Sequence, residues 1–112
     1  MVVDEDLPLN RLFRALADGT RRDIVARSLV AEESVSELAS HYKMSFAAVQ
    51  KHVAVLERAG LIAKRASGRE QRVSANPARL KRASDLLAHF ENIWRQRSAQ
   101  LDQILAEDNK GS

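Results

Sequence analysis

The sequence contains no cysteine, only four glycines and two prolines, and no apolar run longer than four residues. Without cysteine the chain has no disulfides, thiolate nucleophiles, zinc ribbons or iron–sulfur clusters. The short apolar runs exclude a membrane-spanning helix, and Asp4, Glu5 and Asp6 stand where a secretory signal would need basic and apolar residues. We therefore expect a soluble, cytoplasmic protein that does not bind membranes.

The composition favours one small helical domain. The chain has 112 residues, of which 45% are apolar and 29% charged, which suffices for one packed domain and not for two. Glycine and proline are scarce while Ala, Leu, Arg and Glu dominate, which favours helices. We expect residues 7–106 to form the domain, with disordered tails at 1–6 and 107–112.

The positive charge is confined to one segment. Residues 57–82 contain eight basic and two acidic side chains, whereas residues 1–56 carry a net charge of −1 and residues 83–112 a net charge of −2. A short basic segment between near-neutral ones is typical of a surface that meets phosphates. An Arg-rich solvated loop is the alternative.

Apolar spacing predicts two helices at the start of the chain. Leu9, Leu12 and Leu16 lie on one face of a helix over about residues 8–17, which Gly19 is expected to end. Thr20 is the expected N-cap of the second helix, because an acidic residue follows in its first turn.

Two further helices are marked by their caps. Ser34 with Glu37 three residues later forms a capping box that opens a short third helix. Ser45 is the expected N-cap of a fourth helix, which Gly60 ends. Two short helices joined by a turn of three to four residues form a helix-turn-helix.

The second half of the chain predicts a hairpin and one long helix. Residues 61–75 form two short extended segments about a glycine-containing turn, which indicates a β-hairpin. Asn76 and Pro77 then start the longest helix, as an N-cap followed by proline in the first turn. Its heptad stripe contains Leu80, Ala83, Leu87, Phe90, Trp94, Arg97, Leu101 and Ile104. The predicted fold is mainly α with a small β-hairpin: a winged helix-turn-helix of about five helices with a two-stranded wing.

Three segments in this order resemble the ArsR/SmtB family of small bacterial dimeric repressors. They are LFRALADGTRR at 12–22, VSELA at 35–39 and VQKHVAVLERAGLI at 49–62, and the resemblance extends over about residues 9–105. In that family the segments form the first helix, the positioning helix, and the recognition helix with the first wing strand.

The metal ligands of the family's best-known sensors are absent. Ser34 and Ser36 occupy the places of a Cys-x-Cys pair, and hydroxyls do not replace thiolates for soft ions. The last-helix set of the zinc sensors is not met, because Leu87 stands two places after Asp85 and no histidine follows His89. The chain resembles a subgroup without the usual metal-ligand cysteines, and we predict neither a metal site nor a cofactor.

The recognition helix supplies the first part of the predicted DNA surface. Its N-terminal, outward-facing residues are expected to enter the major groove. Gln50 can pair with adenine, Lys51 can reach guanine or a phosphate, and Ser45 can donate to a phosphate. Phe46 either contacts a thymine methyl or packs on neighbouring side chains, and both interpretations remain open. The set is Ser45, Phe46, Ala47, Gln50 and Lys51.

The hairpin supplies the second part. Lys64, Arg65, Arg69 and Arg72 lie on or beside it, with Arg69 as the expected tip contact to the minor groove and the others on phosphates. His52 lies on the inward side of the recognition helix, so we expect a packed, hydrogen-bonded imidazole there.

The long helix predicts a dimer, because it is longer than a small helical core can cover. In the family that the chain resembles, the first and last helices of a second subunit cover this face. The predicted interface consists of Leu9, Leu12, Leu16, Leu87, Phe90, Trp94 and Leu101.

These features predict a sequence-specific, homodimeric transcriptional repressor that binds a palindromic operator through a recognition helix at about 45–59 and a basic wing at about 61–75. Two alternatives stand beside it: a winged-helix module that binds protein or RNA, and a metal-responsive regulator that uses His41, Asp85 and His89. No catalytic constellation is present, so an enzyme is not expected. The sequence does not identify an effector.

Overall fold

The computed structural model describes residues 8–110, which form five helices and three strands. They are α1 (Pro8–Leu16), α2 (Gly19–Val30), β1 (Glu33–Ser34), α3 (Val35–Ala39), α4 (Phe46–Arg58), β2 (Ile62–Ser67), β3 (Glu70–Ala75) and α5 (Pro77–Lys110). The chain divides into two compact units, and the division lies inside α5 after Lys81. The predicted mainly α fold with a basic hairpin is confirmed.

The sheet has one strand more than predicted. β2 and β3 form the antiparallel hairpin, in which Arg65 lies opposite Arg72 and Ser67 opposite Glu70. β1 adds to the other edge of β3, where Ser34 pairs with Arg72, so the strand order is β1-β3-β2. Two residues are too short for an alternating pattern, which is why the sequence predicts only a two-stranded wing.

The junction between α1 and α2 differs from the prediction. Asp18, not Thr20, is the N-cap of α2: its carboxylate accepts the backbone N–H of Arg21 at 3.0 Å. This hydrogen bond holds the pKa of the Asp18 carboxyl below its ordinary value. Gly19 is the first residue of α2 and does not have the positive φ of a helix-ending glycine.

Two arginines of α2 satisfy the carbonyl groups at the end of α1. Arg21 donates from Nε to the carbonyl of Ala15 at 2.7 Å, and Arg22 donates to the carbonyl of Leu16 at 2.8 Å. The last carbonyls of a helix have no partner within the helix. These side chains therefore replace the glycine cap and connect α1 to α2.

The helix-turn-helix has the predicted caps and a longer turn. The hydroxyl of Ser34 accepts the N–H of Glu37, and that of Ser45 accepts the N–H of Ala48, each at 3.1 Å. α3 ends at Ala39, so residues 40–45 form the turn, six where three to four were expected. Tyr42 falls in this turn and donates its hydroxyl to Asp23 of α2 at 2.6 Å. Burial, with this bond as the second cause, raises the pKa of Tyr42 to about 12.

The apolar core of the first unit lies among α1 to α4 and the sheet. Its fully buried side chains include Leu12, Ile24, Leu38, Val49, Val53, Leu56, Leu61 and Val73. Burial of each such side chain stabilises the fold by about 1.5–3 kcal/mol. Leu12 corrects the predicted dimer interface: its side chain packs inside its own chain and leaves no surface for a partner.

The base of the hairpin is bonded to the start of α5. Gly60 ends α4 with φ +78°, and its carbonyl accepts the side-chain amide of Asn76 at 3.0 Å. The backbone N–H of Asn76 donates to the carbonyl of Leu61 at 2.9 Å, and Arg79 donates to the carbonyl of Ala59 at 3.3 Å. Three short contacts thus join the end of α4, the first wing strand and the first turn of α5.

α5 has 34 residues and a length of about 51 Å at 1.5 Å per residue. It continues to Lys110, so residues 107–110 are helical where a disordered tail was expected; residues 1–7 and 111–112 lie outside the described part of the chain. Large apolar side chains of α5 are exposed, with Leu87 at 57%, Phe90 at 56%, Trp94 at 65% and Leu101 at 50%. None of the helices within residues 8–110 has the length and hydropathy needed to cross a membrane.

Candidate nucleic-acid interface

The start of α4 presents the predicted recognition residues to solvent. Val49, Val53 and Leu56 are buried and fix the inner face of the helix. All five predicted residues at this end of the helix are exposed: Ser45, Phe46, Ala47, Gln50 and Lys51. Ser45 accepts a backbone N–H, so its own hydroxyl proton is available to donate to a phosphate at the positive end of the helix.

Phe46 is 47% exposed. The ring lines a groove together with Gln50. Both interpretations of Phe46, a thymine contact and local packing, remain predictions.

The hairpin carries the second set of residues. Gly68 has φ +62° at the first position of a two-residue loop, and Arg69 occupies the second position. Glycine at the first position is typical of a tight type II′ turn. Arg69 is therefore the tip of the wing, and it is exposed.

Three of the four basic wing residues are paired with groups of their own chain. Arg65 forms a 2.8 Å ion pair with Glu32, and Lys64 lies 3.5 Å from Glu57. Arg72 donates to the carbonyl of Glu32 at 3.1 Å and lies 3.6 Å from Glu70. For Arg69, no polar partner is found within residues 8–110. The ion pairs of Arg65 and Lys64 lie at the surface and contribute little to stability, so a DNA phosphate can replace the glutamate carboxylates at small cost in free energy.

The recognition helix and the wing meet around a groove of about 260 Å³. Phe46 and Gln50 line it from α4, and Lys64 and Arg69 line it from the hairpin. The structure thus brings together four of the nine predicted DNA-binding residues. Ala47 and Lys51 on α4, Ser45 at its N-cap, and Arg65 and Arg72 on the hairpin do not line it.

Four polar residues that were not predicted also line this groove, and they are Ser34, Ser36, Glu70 and Gln71. Ser36 projects from α3 and Gln71 from β3, and both are exposed. Gln71 lies opposite Ala66, which is two residues after Lys64 on β2, so Gln71 and Lys64 share a face of the hairpin. That period-two spacing is the signal by which Gln71 could have been included in the set.

His52 is part of the internal structure, as predicted. Arg21 donates from Nη1 to His52 Nδ1 at 3.3 Å, which requires Nδ1 to be the unprotonated ring nitrogen. The same nitrogen lies 3.9 Å from the carboxylate of Asp18. Arg21 therefore connects α4 to the junction of α1 and α2.

The residues of the metal alternative do not form a cluster. Within the described part of the chain, no group of three or more His, Asp or Glu side chains could hold a metal ion. His41 instead contacts Glu33 at 2.9 Å.

The residues of the predicted dimer interface differ in how far they are exposed in the single chain. Leu9 and Leu16 are half-buried on α1, and Leu12 is in the core. Leu87, Phe90, Trp94 and Leu101 are exposed on α5. Contact of these residues with a partner stays a prediction.

Comparison with known proteins matches this chain to regulators. The family model for bacterial regulatory proteins of the arsR family matches residues 18–64. The HTH-type transcriptional regulator Rv2034 of Mycobacterium tuberculosis is 32% identical over 102 residues, which are 91% of each chain. The structure of an ArsR-like transcriptional regulator from Rhodococcus sp. RHA1 is 34% identical, with a TM-score of 0.73, and the match covers 87% of this chain and 92% of the relative.

One more distant structure is similar in fold. The winged helix-turn-helix DNA-binding domain of Mb0332 from Mycobacterium bovis, described as homodimeric, is 23% identical with a TM-score of 0.62, and the match covers 80% of this chain and 91% of the relative. With the helix-turn-helix and wing described above, these matches identify the chain as a transcriptional regulator with a winged helix-turn-helix DNA-binding fold. It belongs to the ArsR family of bacterial regulatory proteins.

Proposed function

We propose that the protein is a homodimeric repressor that binds a palindromic operator through the recognition helix (45–59) and the basic wing (61–75). The observation that carries the proposal is the groove between α4 and the hairpin, where Gln50 and Phe46 face Lys64 and Arg69. Groups that read bases and groups that bind phosphates are thereby held in one surface.

The two parts of this surface suit different grooves of DNA. An α-helix fits the major groove, where the amide of Gln50 can make two hydrogen bonds to adenine. Arg69, at the tip of a tight turn and without a partner within residues 8–110, suits the narrow minor groove beside it. Ser45 and Lys51 would bind phosphates and fix the register.

The exposed stripe of α5 supports dimerisation. Leu87, Phe90, Trp94 and Leu101 are each at least half exposed, and such an apolar stripe marks an interaction surface. Mb0332, which shares the fold, is described as homodimeric. A second copy that covers the stripe would place two recognition helices on half-sites about 34 Å apart, which explains a palindromic operator. We include Leu9 and Leu16 in this interface.

Repression by occupancy of the promoter needs no catalytic group, and we place the protein in the cytoplasm, where it meets chromosomal DNA. Residues 7–106 would act as one domain, with α5 as its dimerisation element.

The test is fluorescence anisotropy with labelled duplexes: the DNA upstream of the protein's own gene and a scrambled duplex of equal composition. We expect two subunits per duplex, a steep salt dependence and at least about a hundredfold preference for the native sequence. Sedimentation of the free protein should give twice 12.5 kDa.

Matched variants separate base reading from phosphate binding. Gln50→Ala should reduce the preference for the native duplex by about 5- to 150-fold and leave scramble binding unchanged. Arg69→Gln should weaken binding to both duplexes, and Arg95→Gln, at an exposed position of α5 outside the heptad stripe, is the charge-matched control. Equal, weak binding of the wild type to both duplexes contradicts the proposal and favours a module for protein or RNA.

A further inference from the structure

A second cavity lies away from the groove described above. It has a volume of about 460 Å³ and is framed by α1, the start of α2 and the C-terminal part of α4. Pockets for small molecules have volumes of roughly 300–1,000 Å³. The cavity therefore has the size of a small-molecule site.

The polar wall of this cavity consists of arginines only. Arg11 and Arg14 project from α1, Arg21 from α2 and Arg58 from α4, and none of the seven lining residues is acidic. Arginine stays charged at any physiological pH. The guanidinium groups of Arg14, Arg21 and Arg58 around one concave surface produce a positive potential that favours an anion.

One of the four guanidinium groups is held in place and two have no polar partner. Arg21 is fixed by bonds to the carbonyl of Ala15 at 2.7 Å and to His52 at 3.3 Å. The side chains of Arg14 and Arg58 are exposed, and within residues 8–110 neither has a polar partner. The cavity thus combines a preorganised cation with two that are available to a ligand.

The rest of the lining is apolar. Ala15 and Ala59 are buried, and Val55 is half-buried between them. A bare inorganic anion would leave this surface unused, whereas an organic anion can cover it and gain affinity from the apolar surface removed from water.

Neither of the two surfaces used by the proposed function includes this cavity. α4 has 13 residues, so Arg58 lies about 20 Å from the end of the helix that carries Ser45. On α1, Leu16 of the proposed dimer face is five residues from Arg11, which places the two side chains about 140° apart around the helix.

We propose that this cavity binds a small organic anion, whose carboxylate or phosphate group is held by the arginines while its apolar part lies on Ala15, Val55 and Ala59. The site goes beyond operator binding, which does not require it.

Isothermal titration calorimetry with four probes tests the site. Phenyl phosphate and octanoate represent the two anionic groups, inorganic phosphate lacks the apolar part, and benzyl alcohol lacks the charge. We expect at least one organic anion to bind at least about tenfold more tightly than inorganic phosphate and benzyl alcohol. The better of the two organic anions identifies the preferred head group.

The variants locate the binding. The double variant Arg14→Gln/Arg58→Gln should weaken the organic anion at least about tenfold, whereas Arg82→Gln/Arg95→Gln, which removes two exposed charges from α5 outside the heptad stripe, should leave it within about twofold. Thermal unfolding followed by circular dichroism confirms that each variant is folded.

Three results would overturn the proposal. They are the absence of binding of both organic anions up to about 10 mM, equal affinity of inorganic phosphate and the organic anions, and equal weakening by the two double variants. Loss of operator binding in Arg14→Gln/Arg58→Gln with unchanged anion binding would also overturn it, because the arginines would then be DNA contacts.

Discussion

The ion pair between Glu32 and Arg65 gives a quantitative prediction for DNA binding. The Glu32 carboxylate accepts Arg65 at 2.8 Å, and the backbone carbonyl of Glu32 accepts Arg72. Glu32→Gln removes the carboxylate charge and keeps the carbonyl. Arg65, whose side chain is already 64% exposed, then meets a DNA phosphate without competition, so we expect tighter binding.

The magnitude follows from the exposure of the pair. An exposed ion pair contributes about 0–1 kcal/mol. The wild type loses this contribution when Arg65 leaves Glu32 to bind a phosphate, whereas the variant has no ion pair to lose. The affinity should therefore rise by at most about fivefold at low salt. If Arg65 neutralises one additional phosphate, the slope of log K against log salt becomes steeper by about 0.9. Because phosphates carry no sequence information, the operator and the scrambled duplex should gain equally.

Anisotropy titrations at several salt concentrations measure both quantities. Glu107→Gln on α5 makes the same change in net charge at an exposed position and is the control. Urea denaturation checks that Glu32→Gln remains folded. The reasoning is refuted if Glu32→Gln binds no more tightly than Glu107→Gln, or if the gain is confined to the operator.

Three further predictions concern the glycines at the two ends of the hairpin, the Ser45 cap and the hydrogen bond between Tyr42 and Asp23. Gly60→Ala should lower the free energy of unfolding by about 1–3 kcal/mol, because φ is +78° and the new Cβ would lie 3.1 Å from Arg79. Gly68→Ala, at φ +62° in open space, should lower the free energy of unfolding by about 1 kcal/mol. Equal losses of the two variants in urea denaturation would contradict this prediction. Ser45→Ala should lower the free energy of unfolding by about 1 kcal/mol, because the Ala48 N–H loses its acceptor. Ser45→Asp should keep the cap and weaken DNA binding by charge repulsion. The prediction is wrong if Ser45→Asp loses stability in urea denaturation along with its DNA affinity in anisotropy titrations. Tyr42 is the only tyrosine, so tyrosinate absorbance should titrate with a pKa of about 12 in the folded protein and near 10 in urea. Because the unfolded chain ionises first, the free energy of unfolding should fall as pH rises from 10 towards 12. Tyr42→Phe should lack this loss, and a folded midpoint near 10 is the contrary result.

The local signals in the sequence predicted most of the fold. Ser34 and Ser45 cap their helices, and Gly60 ends α4, because each of these features depends on a few neighbouring residues. The prediction of Thr20 as the cap of α2 was wrong, since Asp18, two residues earlier, also has a side-chain oxygen that can accept a backbone N–H. Only the backbone geometry of Asp18 decides between the two.

Features that depend on distant residues were not predictable. β1 exists because Ser34 meets Arg72, 38 residues later, and two residues carry no pattern of their own. Arg65 pairs with Glu32, which follows α2, and Lys64 pairs with Glu57 of α4. A count of basic residues in the wing cannot show that these two positive charges already have acidic partners. Leu12 and Leu16 share the same spacing on α1, and only packing shows that one faces the core.

The bonds at the base of the hairpin have a consequence for how such a regulator can be re-engineered. The Gly60 carbonyl, Asn76 and Arg79 fix the two strands where they leave and rejoin the helices, while no side chain lies within 4 Å of the space beside Gly68. Anchorage is thus concentrated at one end of the wing and absent at the other. We therefore expect that hairpin tips of different length and charge can replace Gly68 and Arg69 while α4 keeps its position.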